Sequence, residues 1–167
     1  MSLGPGVGPA PALADLNVQK ARAEQVVKSG AGWFLWIGLL SIVNSVVGLA
    51  GGGVHFIVGL GITQVVDALA REVGKSGIVL DIIINGFVVG IFVLFWKFAG
   101  KGKSWAFIVG MLLYALDAIL LLMFKDLFSV AFHGYALFRI YNGMKALPVL
   151  HQIEAALLPA GAPIVPR

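Results

Sequence analysis

Four polar side chains of ion-binding types lie inside long apolar stretches of this sequence. They are Asn44, Asn85, Asp117 and His133. A carboxylate, an imidazole and amide groups can hold a cation or relay protons, and such groups are expensive to place in hydrocarbon. Their positions therefore make these residues the first candidates for chemistry, provided that the surrounding stretches bring them together.

Composition indicates a membrane protein. Of 167 residues, 59% are hydrophobic and 12% are charged, a balance typical of membrane-spanning chains. Four apolar stretches have the length that a helix needs to cross a bilayer. They run from about Gly32 to Ala50, Ile78 to Phe98, Trp105 to Phe124 and Leu127 to Leu147.

The predicted fold is therefore an all-α, polytopic membrane helical bundle over residues 32–147, with four transmembrane helices. Residues 1–31 are expected to form a disordered or interfacial N-terminal segment, because they begin rich in Pro, Gly and Ala and continue polar. Residues 148–167 contain four prolines and predict a short, irregular C-terminal tail, with room for a surface turn of helix at Leu150 to Leu158.

Residues 54–70 do not match the spanning pattern. A helix over this segment would be about 25 Å long, shorter than the roughly 30 Å hydrocarbon core. Gln64, Asp67 and Arg71 fall on one face of it. Two interpretations stay open: a re-entrant segment that borders a cavity, or an amphipathic helix lying in the interface with an Asp67–Arg71 pair.

The basic residues predict the topology. If residues 54–70 do not cross and the N-terminus is cytoplasmic, Arg71, Lys75 and Lys125 are the basic residues left outside. A fifth span would divide the basic residues almost evenly between the two sides. The positive-inside rule therefore favours four spans in a cell membrane, with both termini cytoplasmic.

Helical rise predicts that the polar residues form one layer. Asn85, Asp117 and His133 each lie about 9 to 11 Å from the outer ends of their helices, at 1.5 Å per residue. Asn44 lies at a similar depth if the first span ends near Gly51, and Asp81 is one turn above Asn85 on the same face. The functional interpretation is an ion- or solute-binding site in the outer leaflet, formed by Asp117, His133, Asn85, Asp81 and Asn44.

The same polar residues also have a purely structural interpretation. Helical side chains lean toward the helix N-terminus, so Asp117 and Arg139 lean toward each other and are predicted to form an ion pair. Interhelical polar contacts stabilise membrane bundles by about 0.6 to 2 kcal/mol. On this interpretation, the asparagines, Ser41 and Ser45 only join helices.

Glycine spacing indicates close helix packing. Gly86-x-x-x-Gly90 is a small-xxx-small motif in the second span, and such motifs let helix backbones approach closely. The pattern is compatible with contacts inside one protomer or with a homo-oligomer formed through the Gly86/Gly90 face.

Several kinds of chemistry are excluded or disfavoured. The absence of cysteine excludes disulfides and thiolate metal sites. The three histidines lack metal-ligand spacing, so any metal is unknown, and no cofactor or nucleic-acid partner is predicted. No nucleophile with an oriented base can be assembled, which argues against an enzyme.

Two functions remain for a protein whose predicted partner is the lipid bilayer. The first is binding or passage of a small ion or polar solute through the polar layer. The alternative is a non-catalytic scaffold or accessory subunit whose polar residues only lock helix packing.

Overall fold

The computed structural model describes residues 9–49, 60–73 and 75–158, and nearly all of them are helical. The helices are α1 (Pro9–Leu49), α2 (Gly61–Val73), α3 (Lys75–Ala99), α4 (Ser104–Met123), α5 (Leu127–Lys145) and α6 (Leu147–Leu157). His55 and the first residues of the predicted 54–70 segment lie outside the described ranges.

In the described part of the chain, three helices are long and apolar enough to cross a membrane. These segments are Leu13–Val47 in α1, Gly77–Ala99 in α3 and Ser104–Met123 in α4. The prediction of an all-helical fold is therefore confirmed for the described residues, and the three apolar helices are consistent with a membrane protein. The 19-residue helix α5 is not among these segments, because His133, Arg139 and Asn142 lower its hydropathy.

Helix α1 is longer than the sequence pattern predicts. It continues without a break for 41 residues, so residues 13–28 are helical and the predicted boundary at residue 31 falls inside one helix. Ala23 and Val27, one turn apart, share a buried cluster with Leu147 and Leu150 of α6. That apolar stripe explains why the polar segment is helical, and it makes α6 a packed helix rather than an irregular tail.

An aromatic core holds α1, α3 and α4 together. The Phe34 ring lies with its centroid 6.2 Å from that of Phe92, 5.7 Å from Phe95 and 6.1 Å from Phe107. Gly110 makes this arrangement possible, because a Cβ at that position would lie 2.5 Å from Phe34 Cε1. The core thus fixes α4, which carries Asp117, against α1 and α3.

Helix α2 is short and packs antiparallel to α3. Near its C-terminus the Ala70 carbonyl lies against Gly77, leaving no room there for a Cβ. Near its N-terminus, Leu60 and Ile62 line a groove with Val88 of α3. At 13 residues it is about 20 Å long, too short to cross the hydrocarbon core alone. Its N-terminus therefore lies beside the middle of α3.

Candidate functional site

The carboxylate of Asp117 binds the beginning of α2. Its Oδ2 atom accepts a hydrogen bond from the Gly61 N–H at 2.7 Å, and its Oδ1 atom accepts one from the Ile62 N–H at 2.9 Å. The first N–H groups of a helix have no partner within the helix, and they carry its positive dipole end. Asp117 of α4 therefore supplies the N-terminal cap that α2 would otherwise take from its own chain.

His133 completes this arrangement from α5. Its Nδ1 atom lies 2.8 Å from the Ser129 carbonyl oxygen, and its Nε2 atom lies 2.9 Å from Asp117 Oδ2. The ring stacks on Tyr114, with centroids 4.1 Å apart and planes at 17°. The side chain is fully buried, so His133 is a packed core histidine with both nitrogens bonded, unlike the accessible titratable group expected from the sequence.

The hydrogen bonds determine where the protons of this pair lie. A carbonyl oxygen can only accept, so Nδ1 of His133 must carry the hydrogen that points to Ser129. The contact between Nε2 and Asp117 then needs one further proton, held either by the imidazolium or by the carboxylic acid. In both cases the Asp117–His133 pair is electrically neutral. Without that proton, two acceptors would face each other at 2.9 Å.

Arg139 does not pair with Asp117, contrary to the prediction from side-chain lean. Its guanidinium lies 5.7 Å from the centroid of the Trp33 ring and donates to the Tyr135 hydroxyl at 3.3 Å. The physical reason is angular: α5 directs His133 at Asp117, and a residue six positions later points about 120° away around the helix. Asp117 forms its salt-bridge contact with His133 instead.

A second polar group forms where α1, α2 and α3 meet. The Asn85 amide nitrogen lies 2.6 Å from Asp67 Oδ1, 2.9 Å from Asp81 Oδ1 and 3.1 Å from Ser45 Oγ. Ser45 also donates to Asp67 Oδ1 at 3.3 Å. Asp81 is 1% exposed and Asn85 7% exposed. One amide group thus joins two carboxylates inside the bundle, and we call Ser45, Asp67, Asp81 and Asn85 the acidic cluster.

Two amide groups in this region are incompletely bonded. Asn85 Oδ1 is buried without a hydrogen-bond partner, and both side-chain polar atoms of Asn44 are in the same situation in the described part of the chain. Asn44 is only 8% exposed. Buried amides usually find partners, so these atoms represent hydrogen-bonding capacity that the helices do not use.

The five predicted site residues therefore divide into separate sets. Asp117 and His133 are in contact, and Asn85 and Asp81 are in contact. Helix α2 connects the two pairs, since its first N–H groups bind Asp117 and its Asp67 binds Asn85. Asn44 bonds to neither pair.

The sequence does not reveal the partners of three residues of this region, Asp67, Gly61 and Ile62. Asp67 was identifiable as part of the polar face of a short segment, but its partner Asn85 was assigned to a different group. The Gly61 and Ile62 N–H donors have no sequence signal, since every residue except proline has such a group. Within the ranges that the structure describes, no cluster of three or more His, Asp or Glu side chains is arranged to hold a metal ion.

Comparison with known proteins found no matching family model, no similar curated protein and no similar solved structure. The two polar groups and the helices that carry them are therefore the features that point to a function.

Proposed function

We propose that this chain is a small polytopic membrane protein that binds a monovalent cation at the acidic cluster. Asp67 and Asp81 are its charged ligands, and Ser45 and Asn85 supply neutral oxygens. The observation that carries the proposal is the Asn85 amide nitrogen, which lies within hydrogen-bonding distance of both carboxylates.

Electrostatics supports a cation at this place. Two carboxylates close together in a medium of low dielectric constant repel each other, and a cation or a shared proton relieves that repulsion. The Asn85 NH2 group gives partial relief, because it offers one N–H to each carboxylate. Rotation of this amide by half a turn exchanges its nitrogen with the unpartnered Oδ1. The acidic cluster then presents oxygens alone, the donor type that alkali and other hard cations prefer.

The location of α2 supports access from one side of the membrane. Asp117 lies six residues before Met123, the last residue of α4, and holds the α2 N-terminus about 9 Å below that helix end. We propose that α2 is a half-inserted, re-entrant helix, that α5 is the fourth span, and that both termini are cytoplasmic. The acidic cluster then opens to the outer side.

A scaffold is the second candidate, and the Asp117–His133 pair favours it. His133 is completely buried with both ring nitrogens bonded, and the carboxylate of Asp117 takes three hydrogen bonds. Groups bonded in this way fix the packing of the helices that carry them. In a pure scaffold, the acidic cluster would likewise hold α2 against α3 without a ligand.

We also propose that copies of the chain associate through the Gly86/Gly90 face of α3. A Cβ added at either glycine meets no atom of the described residues within 4 Å, so none of the described helices packs on the small-xxx-small motif. Such a motif allows close approach of a second helix.

Thermal unfolding of the purified chain in detergent tests cation binding. Sodium, potassium and lithium chloride are compared with choline chloride at equal ionic strength. A cation at one hundred times its Kd stabilises the folded state by about 2.7 kcal/mol. We expect one alkali cation to raise the Tm of the wild type, and Asp67→Asn to remove that increase.

Asp15→Asn is the matched control, because Asp15 is exposed on α1, outside the acidic cluster, and accepts a hydrogen bond from Gln19. Its response to the cation should equal that of the wild type. If no alkali cation acts differently from choline on a folded wild-type protein, the cation proposal fails and the scaffold remains.

A further inference from the structure

A groove between α2, α3 and α4 lies beside the Asp117–His133 pair and is separate from the acidic cluster. Its volume is about 310 Å³. Its walls are apolar except for Asp117. They include Leu60 and Ile62 of α2, Val88 and Phe92 of α3, and Leu113 and Leu116 of α4.

The groove opens sideways from the bundle. Ile62, Leu113 and Leu116 line it and are themselves 39%, 40% and 54% exposed. Leu113 and Leu116 belong to a helix long and apolar enough to cross a membrane. In a bilayer, this open side of the groove faces the hydrocarbon region, which gives molecules dissolved there direct access.

Asp117 is the one charged side chain among the described residues that line the groove. A carboxylate has about four lone-pair sites. Oδ2 is used twice, by Gly61 and His133, whereas Oδ1 accepts from Ile62 alone among the described residues. One lone pair of Oδ1 therefore has no donor in the described part of the chain, and Asp117 is part of the groove lining. A ligand in the groove can satisfy that lone pair with one hydrogen-bond donor.

Charge restricts the donor to an uncharged group. The Asp117–His133 pair is neutral as a unit, because one proton is shared between the two side chains. An ammonium group in the groove would have no net negative charge to balance it, and burying an unbalanced charge in an apolar site is strongly unfavourable. A hydroxyl donates one hydrogen bond without this penalty.

Size restricts the apolar part of the ligand. A cavity of about 150 Å³ is large enough for benzene, so a groove of about 310 Å³ accommodates an apolar group of roughly twice that size. A ring with a short alkyl chain satisfies this condition.

From these observations we infer that the groove binds an uncharged, lipid-soluble alcohol or phenol. Its hydroxyl donates to Oδ1 of Asp117, and its apolar body lies between α2, α3 and α4. This site uses different atoms from the proposed cation site, so either can exist without the other.

Equilibrium binding to the full chain in phosphatidylcholine nanodiscs tests the inference, with empty nanodiscs measuring partition into lipid. The probes are radiolabelled 4-pentylphenol and its methyl ether, 4-pentylanisole, which has the same apolar body but no donor. At pH 7 the phenol is uncharged. A net hydrogen bond predicts about three- to tenfold tighter binding of the phenol. Equal affinity for the two probes would overturn the assignment and leave an unselective acyl-chain groove.

Leu116→Trp fills the groove with a larger side chain without touching Asp117, and should abolish saturable binding of the phenol. Leu112→Trp is the matched control, since Leu112 is 59% exposed on the same helix and does not line the groove. If Leu116→Trp binds the phenol as tightly as Leu112→Trp, the groove is not the site. Tighter binding of pentylammonium than of 4-pentylphenol would contradict the neutral charge of the pair.

Discussion

The Nε2 atom of His133 lies 2.9 Å from Oδ2 of Asp117, and the same oxygen accepts the first N–H of α2, from Gly61, at 2.7 Å. One carboxylate oxygen thus connects three helices, α2, α4 and α5. His133 acts on α2 through Asp117, because it fixes the orientation of the carboxylate that caps the helix. The stability of α2 should therefore depend on His133 of α5, which binds the carboxylate that caps α2.

A double-mutant cycle measures this dependence. Asp117→Ala and His133→Ala each remove one side of a buried contact, and each should cost about 3 to 5 kcal/mol because the remaining polar group loses its partner. The coupling between them should exceed about 1 kcal/mol. Equilibrium unfolding in mixed detergent micelles gives the free energies.

The same cycle with Arg139→Gln is the control. Arg139 bonds to Tyr135 and lies over Trp33, so its coupling to Asp117 should stay within about 0.5 kcal/mol. A larger coupling to Arg139 than to His133 would restore the ion pair that the sequence suggested.

Hydrogen exchange locates the effect of Asp117 in the chain. In a folded Asp117→Ala protein, the amides of Gly61 and Ile62 lose their acceptors, so their exchange should accelerate toward that of an open helix end. Asp126→Ala is the control, since Asp126 accepts from Ser129 N–H at the start of α5. It should accelerate exchange at Ser129 and leave Gly61 unchanged. Unaltered exchange at Gly61 in Asp117→Ala would show that another group holds α2.

The sequence predicts the depth of the polar residues along their helices well, but it predicts poorly which way their side chains point. The 1.5 Å rise and the tight turn between α4 and α5 place Asp117 and His133 level with each other, and the structure brings them into contact. The tilt of side chains along the helix axis predicts Arg139 as the partner of Asp117. The angular position of each residue around α5 instead directs His133 at Asp117. Hydropathy also predicts too late a start for the first helix. The apolar stripe that stabilises the N-terminal part of α1 packs against α6, which is the last helix in the sequence.

The contact between Gly30 and Gly143 predicts a position that does not tolerate a methyl group. A Cβ at Gly143 would lie 2.7 Å from Gly30 Cα, so α1 and α5 approach through their backbones. Gly143→Ala should therefore destabilise the protein by about 1 to 3 kcal/mol, the usual cost of overpacking. Gly134→Ala on the same helix is the control, because its Cβ meets nothing within 4 Å.

Gly134→Ala should be neutral or stabilising by up to about 1 kcal/mol, as alanine favours helix more than glycine does. Thermal unfolding in one detergent compares the two variants. Equal Tm values for both would show that α1 and α5 do not approach so closely.

Single cysteines test the number of spans, since the chain contains none of its own. The turn at Lys101, between α3 and α4, and the turn at Lys125, between α4 and α5, lie at opposite ends of α4. With cytoplasmic termini, Lys125→Cys should react with a membrane-impermeant maleimide in intact cells. Lys101→Cys should react only after the membrane is permeabilised.

Labelling of Lys145→Cys then tests whether α5 crosses the membrane. Lys145 is the last residue of α5 and is exposed. If α5 is a fourth span, Lys145→Cys is protected from the maleimide together with Lys101→Cys. The 19 residues of α5 carry the chain back about 28 Å, close to the thickness of the hydrocarbon core. Labelling of Lys145→Cys from outside, together with Lys125→Cys, would contradict the proposal that α5 is the fourth span.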